Sequence, residues 1–115
     1  MIELRLPLPP STNNLYISVG KKRIVSPKYR AWREEAGEML IAQKPRSVLG
    51  DYDLWLYVEW PDKRKRDLDN AIKAVSDLLV SHQLVEDDSR CQALPIYRSI
   101  QGRECTVRVC ERKTA

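Results

Sequence analysis

The amino-acid sequence predicts one α+β domain in which two helices pack on a mostly antiparallel or mixed sheet. The first observation behind this prediction is the length, because 115 residues can form one sizeable core but not two. The second is the order of periodic segments, which is strand, hairpin, helix, strand, helix, strand, strand. The third is a composition of 43% hydrophobic and 31% charged residues, which favours a globular chain over a disordered one. We therefore expect a single domain over residues 1–115.

The N-terminal quarter is predicted to form a strand followed by a hairpin. Residues 2–8 alternate apolar and polar side chains, as a half-buried strand does. The PPSTNN run at residues 9–14 ends this strand, because proline lacks a backbone donor and asparagine favours turns. Residues 15–19 and 23–25 then flank a GKK sequence in which Gly20 can turn the chain, which predicts a short basic hairpin.

The first helix is predicted to begin after Ser26, because serine is a good N-cap and Pro27 suits the first helical turn. Four apolar residues fall on one face of this helix: Trp32, Ala36, Met39 and Leu40. Pro45 marks its end. The helix is therefore expected to bury one side against the sheet.

The second half of the chain is predicted to form a central strand, a helix and two closing strands. Residues 52–60 are dominated by aromatic and branched apolar side chains, which suit a strand better than a helix. The next helix begins near Asp67, and its apolar stripe has helical spacing: Leu68, Ile72, Val75 and Leu79. Residues 91–100 and 105–109 are the closing strands, joined across QGRE, and Pro95 makes the first an edge or bulged strand.

The charge of the chain permits a polyanionic partner, and nothing in the sequence resembles a membrane span. The net charge is +4, and residues 1–33 carry seven Lys or Arg against the single acid Glu3. No apolar run is long enough to span a membrane, and MIELRLPLPP lacks the features of a signal peptide, so we expect a cytoplasmic protein. The cysteines lack metal-type spacing, so we interpret them as ordinary thiols rather than a zinc site: Cys91, Cys105 and Cys110.

A positive and a negative cluster adjoin at residues 63–70, KRKRDLDN. The four cations come first: Lys63, Arg64, Lys65 and Arg66. Asp67 and Asp69 follow them directly, and Lys73 lies one helical turn after Asp69 on the same face. A second acidic run ends at Asp88, after a connector long enough to return to this helix. We therefore expect the three carboxylates to converge.

Converging carboxylates repel one another unless a cation lies between them. Oxygen ligands without histidine or cysteine favour a hard ion, so the sequence predicts Mg²⁺ as cofactor, with Mn²⁺ as a substitute. Such an ion supports phosphodiester hydrolysis by lowering the pKa of a bound water and neutralising charge on the phosphate. Lys73 would add a positive charge at the leaving oxygen or at the phosphorus.

Each part of this pattern also has a simpler explanation. Asp67 and Asp69 suit a helix N-terminus, and Asp69 with Lys73 can form an ordinary surface ion pair. The basic run can be a solvated face. Their adjacency favours function, because carboxylates beside the cations would repel a bound phosphate backbone unless they hold a metal.

The segment PDKRKRDLDNAIKAVSDLL followed by VEDD resembles the RusA family of Holliday junction resolvases, small endodeoxyribonucleases of bacteria and their phages or prophages. The resemblance extends to LPLPPSTNNLY, to VSPKYRAWR and to the length, and thus to essentially the whole chain. It implies four catalytic residues: Asp67, Asp69, Lys73 and Asp88. The three aspartates among them are the implied metal ligands. It also implies DNA-facing positions at Asn13, Asn14 and Arg66. The chain departs from the family at SHQLVEDD, where His82 and Gln83 replace small or glycine-containing turns.

The resemblance further implies a Mg²⁺-dependent homodimer that makes paired symmetrical nicks in a four-way junction during DNA recombination and repair. A two-fold dimer with one site per subunit matches the two-fold symmetry of such a junction. A non-catalytic module that binds branched DNA is the main alternative, and an enzyme acting on a small phosphoester is another. Residues 52–60 and the edge near Pro95 are two candidate dimer surfaces.

Overall fold

A computed structural model describes residues 1–10, 16–59, 72–99 and 104–112 of the chain. In chain order its elements are β1 (Ile2–Pro7), β2 (Tyr16–Val19), β3 (Lys22–Val25), α1 (Pro27–Ala42), β4 (Tyr52–Glu59), α2 (Ile72–Ser81), a 3₁₀ turn (Asp88–Arg90), β5 (Cys91–Ala93), β6 (Ile96–Ser99) and β7 (Glu104–Glu111). This order confirms the predicted α+β class with two helices. The predicted start of the second helix near Asp67 and the end of the central strand at Trp60 lie outside the described residues.

The main sheet is mixed. β1, β7 and β4 lie side by side as antiparallel neighbours, while β5 and β6 both pair with β4 in parallel. Parallel neighbours need a long crossover connection, and the segment between β4 and β5 contains α2. The first predicted closing strand, residues 91–100, is divided into β5 and β6, and the second lies within β7. β5 and β6 lie on one side of β4 and β7 on the other, so the closing strands do not pair with each other.

One face of the sheet forms the core. Side chains alternate between buried and exposed along β1, β4 and β7, as the two-residue strand period requires. The paired strands bury Leu4, Leu56 and Val107 in one row across the sheet. The helices contribute Trp32, Ala36, Leu40, Val75 and Leu79 to the same cluster. Met39, which was also predicted on this face, is only partly buried.

The boundaries of α1 follow the predicted signals. The Ser26 hydroxyl accepts a hydrogen bond from the Tyr29 N–H at 3.1 Å, which caps the helix, and Pro27 begins it. The helix ends at Ala42, three residues before Pro45. Beyond it, the Gln43 side chain bonds both the N–H and the C=O of Arg5, at 2.9 and 2.8 Å, and so fixes the helix end to β1.

Two turns shape the surface around the site. β2 and β3 form a separate two-stranded sheet whose turn contains Gly20 at φ 61°, as predicted. Gln83 follows α2 at φ 57°, a left-handed conformation that favours glycine. At the edge of the main sheet, Pro95 separates β5 from β6, and its carbonyl accepts a hydrogen bond from the Leu56 N–H at 3.0 Å. No helix in the described residues is long and apolar enough to cross a membrane.

Candidate functional site

The structure describes two of the residues predicted to form the site, Lys73 on α2 and Asp88 in the 3₁₀ turn. The others lie outside the described residues: Asn13, Asn14, Lys63, Arg64, Lys65, Arg66, Asp67 and Asp69. The candidate site is therefore built from the described side chains around Lys73 and Asp88. These belong to the polar edge of α2 and to the acidic loop, which we define as residues 86–90.

The polar edge of α2 carries an ion pair. Lys73 Nζ donates a hydrogen bond to Asp77 Oδ2 at 3.3 Å, across one turn of the helix. Both side chains are about half exposed, so water screens the pair and it contributes little to stability. Val75 and Leu79 on the opposite face are buried and hold the helix against the sheet. Lys73 is thus an accessible cation on a fixed helix.

The acidic loop is anchored to the start of β4 by several contacts. The Gly50 N–H donates to Glu86 Oε1 at 3.3 Å, and Arg90 forms ion pairs with Glu86 at 3.9 Å and with Asp51 at 3.4 Å. Before the loop, Val85 forms a bridge with Val48. Contacts on both sides therefore fix the loop, which places Asp88 on a supported turn rather than in a long free segment.

Asp87 and Asp88 titrate differently although they are neighbours. The Ser89 hydroxyl donates to Asp87 Oδ2 at 2.9 Å, and this bond, with a further one to Asp88, lowers the pKa of Asp87. The hydrogen bond to Asp87 and the negative charge of Asp87 raise the pKa of Asp88. Asp88 thus lies in the negative field of Asp87, which a bound cation would relieve.

Asp77 connects the polar edge of α2 with the acidic loop. The pKa of Asp88 is raised mainly by Asp87, and the charge of Asp77 makes a smaller contribution in the same direction. It also contributes, after burial, to the raised pKa of Tyr29 on α1. The 3₁₀ turn contacts α2, as expected if the connector returns to the helix. Lys73, Asp77 and Asp88 therefore share one side of the molecule.

Tyr52 contacts the acidic loop from the core side. Its ring is buried, and its hydroxyl donates to the Asp87 carbonyl oxygen at 3.4 Å. Burial, with smaller contributions from the nearby Cys91, Asp88 and Asp87, raises the pKa of Tyr52 to about 12. The phenol therefore stays neutral and keeps the proton that it donates to the loop.

The described acids suit a hard cation but do not form a complete site. Within the described ranges no group of three His, Cys, Asp or Glu side chains is arranged to hold a metal ion. Asp88 offers carboxylate oxygens and lies among like charges, which is the donor chemistry that Mg²⁺ and Mn²⁺ prefer. Asp88 thus fits one ligand of a metal whose remaining ligands would come from outside the described residues.

Sequence reasoning missed two contributors to this arrangement. Asp77 is not among the residues predicted to form the site, although its four-residue spacing from Lys73 is a signal for an ion pair. Tyr52 was seen only as a strand residue, and no local pattern connects it with Asp87, which is 35 residues away. Cys105 is buried, and Cys91 and Cys110 are partly buried.

Comparisons with known proteins extend over most of the chain. The family model described as endodeoxyribonuclease RusA matches residues 7–110. A relative from Enterobacteria phage HK97, named crossover junction endodeoxyribonuclease rusA, is 30% identical over 98 residues. The alignment includes 84% of this chain and 81% of the phage protein. The matched range includes both Lys73 and Asp88.

Proposed function

The chain belongs to the RusA family of endodeoxyribonucleases, and from this membership we propose that it resolves four-way DNA junctions by paired symmetrical nicks. The observation that carries the proposal is the family match over residues 7–110, which contains the predicted catalytic set: Asp67, Asp69, Lys73 and Asp88. The arrangement of Lys73, Asp77 and Asp88 on one side of the molecule supports it, since a nuclease needs a cation and carboxylates around one phosphate.

We propose Mg²⁺ as the cofactor, held by Asp67, Asp69 and Asp88, with Mn²⁺ as a substitute. The carboxylate-only donor set and the raised pKa of Asp88 support a hard cation at this place. When bound, the ion supplies Lewis-acid activation of water and charge neutralisation for phosphodiester hydrolysis. Asp87 adds to the negative field around Asp88 without being a proposed ligand.

Lys73 is proposed to stabilise the negative charge that develops on the cleaved phosphate. Its ion pair with Asp77 is solvent-exposed, and such pairs contribute only about 0–1 kcal/mol. A phosphate can therefore compete for the ammonium group at small cost. Asp77 keeps Lys73 extended along α2 before DNA binds, and the buried face of α2 keeps the helix in place.

The basic run and the N-terminal asparagines are proposed to bind the DNA backbone. Four cations directly precede the acids: Lys63, Arg64, Lys65 and Arg66. They would bring the phosphate backbone to the metal ligands. Asn13 and Asn14 would add neutral hydrogen bonds to the backbone. Binding through phosphates and junction shape should weaken strongly with added salt.

We propose that the enzyme is a homodimer that associates through the open face of the main sheet, the side opposite the helices. Tyr57 on β4 and Tyr97 on β6 stack there with ring centroids 5.2 Å apart. Arg108 lies over the Tyr57 ring at 5.0 Å and forms an ion pair with Glu3 at 3.7 Å. The central strand and the edge near Pro95, the two candidate dimer surfaces, thus belong to one aromatic patch.

The chemistry of this open face favours a second copy of the chain over DNA. Two of its arginines are paired, Arg108 with Glu3 and Arg112 with Asp53, which lowers its net attraction to phosphate. Tyr97 is 48% exposed, and aromatic side chains are enriched in protein interfaces. A face with both signs of charge can complement itself across a two-fold axis.

Cleavage of a labelled synthetic four-way junction tests the proposed activity. Wild-type protein should nick the junction symmetrically in Mg²⁺ but not in EDTA, and should leave a linear duplex of the same sequence intact. Asp69→Asn should bind the junction without nicking it. Tight junction binding by the wild type without nicks in Mg²⁺ or Mn²⁺ would instead support the alternative, a non-catalytic branched-DNA-binding module.

A further inference from the structure

The β2–β3 hairpin exposes one apolar face. In its antiparallel register Ile17 lies opposite Ile24 and Val19 opposite Lys22, so these side chains share one face. Ile17, Val19 and Ile24 are 41%, 55% and 39% exposed. Three neighbouring β-branched apolar side chains on a small projecting sheet are an unusual surface for a free protein, and such patches mark binding sites.

The other face of the hairpin fixes it to the body. Tyr16 contacts Tyr29 of α1 edge-to-face with centroids 6.1 Å apart, and Tyr29 stacks on Trp32 at 6.2 Å. The indole N–H of Trp32 donates to the Pro7 carbonyl at 2.9 Å, which continues the connection to β1. The hairpin therefore has a fixed base, and its outer apolar face and its turn are open to a partner.

The charge around the hairpin selects a polyanionic partner. Lys21 lies in its turn, Lys22 and Arg23 begin β3, and the sequence has no acidic residue between Glu3 and Glu34. Among the described residues no carboxylate forms an ion pair with Lys21 or Lys22. The first two turns of α1 add three further exposed cations: Lys28, Arg30 and Arg33. A second protein chain of ordinary composition would leave this charge uncompensated, whereas DNA would not.

The hairpin rises near the candidate catalytic site. Asp77, which pairs with Lys73, lies close enough to Tyr29 for its charge to act on that phenol, and Tyr29 contacts Tyr16 at the hairpin base. DNA held by the hairpin turn would therefore lie on the side of the molecule that carries the polar edge of α2.

From this geometry we infer that the hairpin is a wedge for branched DNA, an inference that rests on the proposed function and extends it. Ile17, Val19 and Ile24 pack against base pairs that have lost a stacking neighbour at the branch point, while Lys21 and Lys22 bind the adjacent phosphates. Apolar wedges between unstacked bases and cations on flanking phosphates are a common way to hold distorted DNA. A continuous duplex offers no open base face, so the apolar side chains act in junction selectivity.

The test uses a synthetic four-way junction with 2-aminopurine beside the branch point, in EDTA so that no strand is cut. Bound wild-type protein should raise the 2-aminopurine emission, because the fluorescent base loses its stacking. The variant Ile17→Thr/Ile24→Thr keeps the β-branched shape that suits strands and removes the apolar groups. It should bind the junction about tenfold more weakly, with no rise in emission, and should bind linear duplex as the wild type does.

A matched control is Ile41→Thr, which removes an apolar side chain that is 62% exposed on α1, away from the hairpin. It should bind and unstack the junction as the wild type does. The variant Lys21→Gln/Lys22→Gln should lower the affinity for junction and duplex alike and reduce the slope of log affinity against log salt by about 2. Thermal unfolding of every variant should match the wild type, because all these side chains are exposed.

Three outcomes separate the inference from the function on which it rests. If the wild type cuts the junction in Mg²⁺ and Ile17→Thr/Ile24→Thr gives the same emission and affinity, the wedge is wrong and the resolvase function stands. If the wild type neither binds nor cuts the junction, the proposed function fails first. If the double threonine variant becomes monomeric in sedimentation while the wild type is a dimer, the hairpin contacts the partner subunit and the DNA assignment is overturned.

Discussion

Lys73 Nζ lies 3.3 Å from Asp77 Oδ2 on the exposed edge of α2, and the charge of the same Asp77 acts on Asp88 in the acidic loop. This relationship connects a helix and a loop that are separated by a turn and a bridge. Among the described residues, one cation, Lys73, thus lies near two carboxylates, Asp77 and Asp88. A bound phosphate would interact with Lys73 and a bound metal ion with the carboxylates, so both would change the electrostatics of this edge.

We expect Lys73 to be needed for nicking and Asp77 to be nearly dispensable. Lys73→Gln should lower the single-turnover nicking rate by about 100-fold, because the lost charge acts on the developing phosphate charge. Asp77→Asn should leave that rate within about threefold, because an exposed ion pair contributes little. Rates are measured on junction at saturating protein in Mg²⁺. Equal losses in both variants would show that the ion pair itself is required.

Tyr52 should make the fold sensitive to alkali. Burial raises its pKa from 10.0 to about 12, so the neutral phenol stabilises the fold fully below pH 10, and this contribution is lost as the pH rises towards 12. Urea unfolding at pH 8 and pH 11 should reveal a loss of about 1.4 kcal/mol in the wild type that Tyr52→Phe lacks. An equal loss of unfolding free energy in both proteins would assign the alkaline sensitivity to other groups.

The open face of the sheet should carry the dimer contact. Tyr97→Arg places a charge on the half-exposed stacked pair with Tyr57, and sedimentation should then give a monomer where the wild type gives a dimer. Ile41→Arg introduces the same charge at an exposed site on α1 and should remain a dimer. A dimeric Tyr97→Arg protein would place the interface elsewhere.

Gln83 should be a site at which glycine stabilises the fold. Its φ of 57° is strained for a side chain with a Cβ, by about 1–2 kcal/mol, and glycine adopts it freely. Because glycine also loses more freedom on folding, Gln83→Gly should raise the free energy of unfolding by about 0.5–1 kcal/mol. Ser81→Gly, inside the last turn of α2, should lower it. Urea titration of both variants distinguishes the two signs.

Local chemistry made much of the fold predictable. The Ser26–Pro27 pair fixes the start of α1, and Gly20 between two short apolar runs identifies the hairpin. Period alone does not choose strand partners, however. It therefore placed β6 and β7 as consecutive closing strands without indicating that β4 lies between them. The mixed sheet follows from the crossover between β4 and β5, which is a long-range property.

The parts of the site that depend on sequence spacing could be predicted, and the parts that depend on contacts between distant segments could not. Lys73 follows from helical spacing, and the approach of the acidic loop to α2 follows from the length of the connector. The hydrogen bond from Tyr52 to Asp87 joins distant segments and leaves no local pattern. The unequal pKa values of Asp87 and Asp88 depend on which carboxyl Ser89 contacts, and adjacency in sequence cannot reveal that choice.

Asp88 is tested most directly by comparing Asp88→Asn with Asp87→Asn in single-turnover nicking of a four-way junction in Mg²⁺, with junction affinity measured on the same preparations. Each variant removes one negative charge from the same exposed loop, so that general effects on charge and folding are matched. We predict that Asp88→Asn lowers the nicking rate by about 100-fold or more with junction binding kept, and that Asp87→Asn stays within about tenfold of the wild type. Wild-type nicking by Asp88→Asn would contradict the account, because the acidic loop would then have no part in the catalytic site.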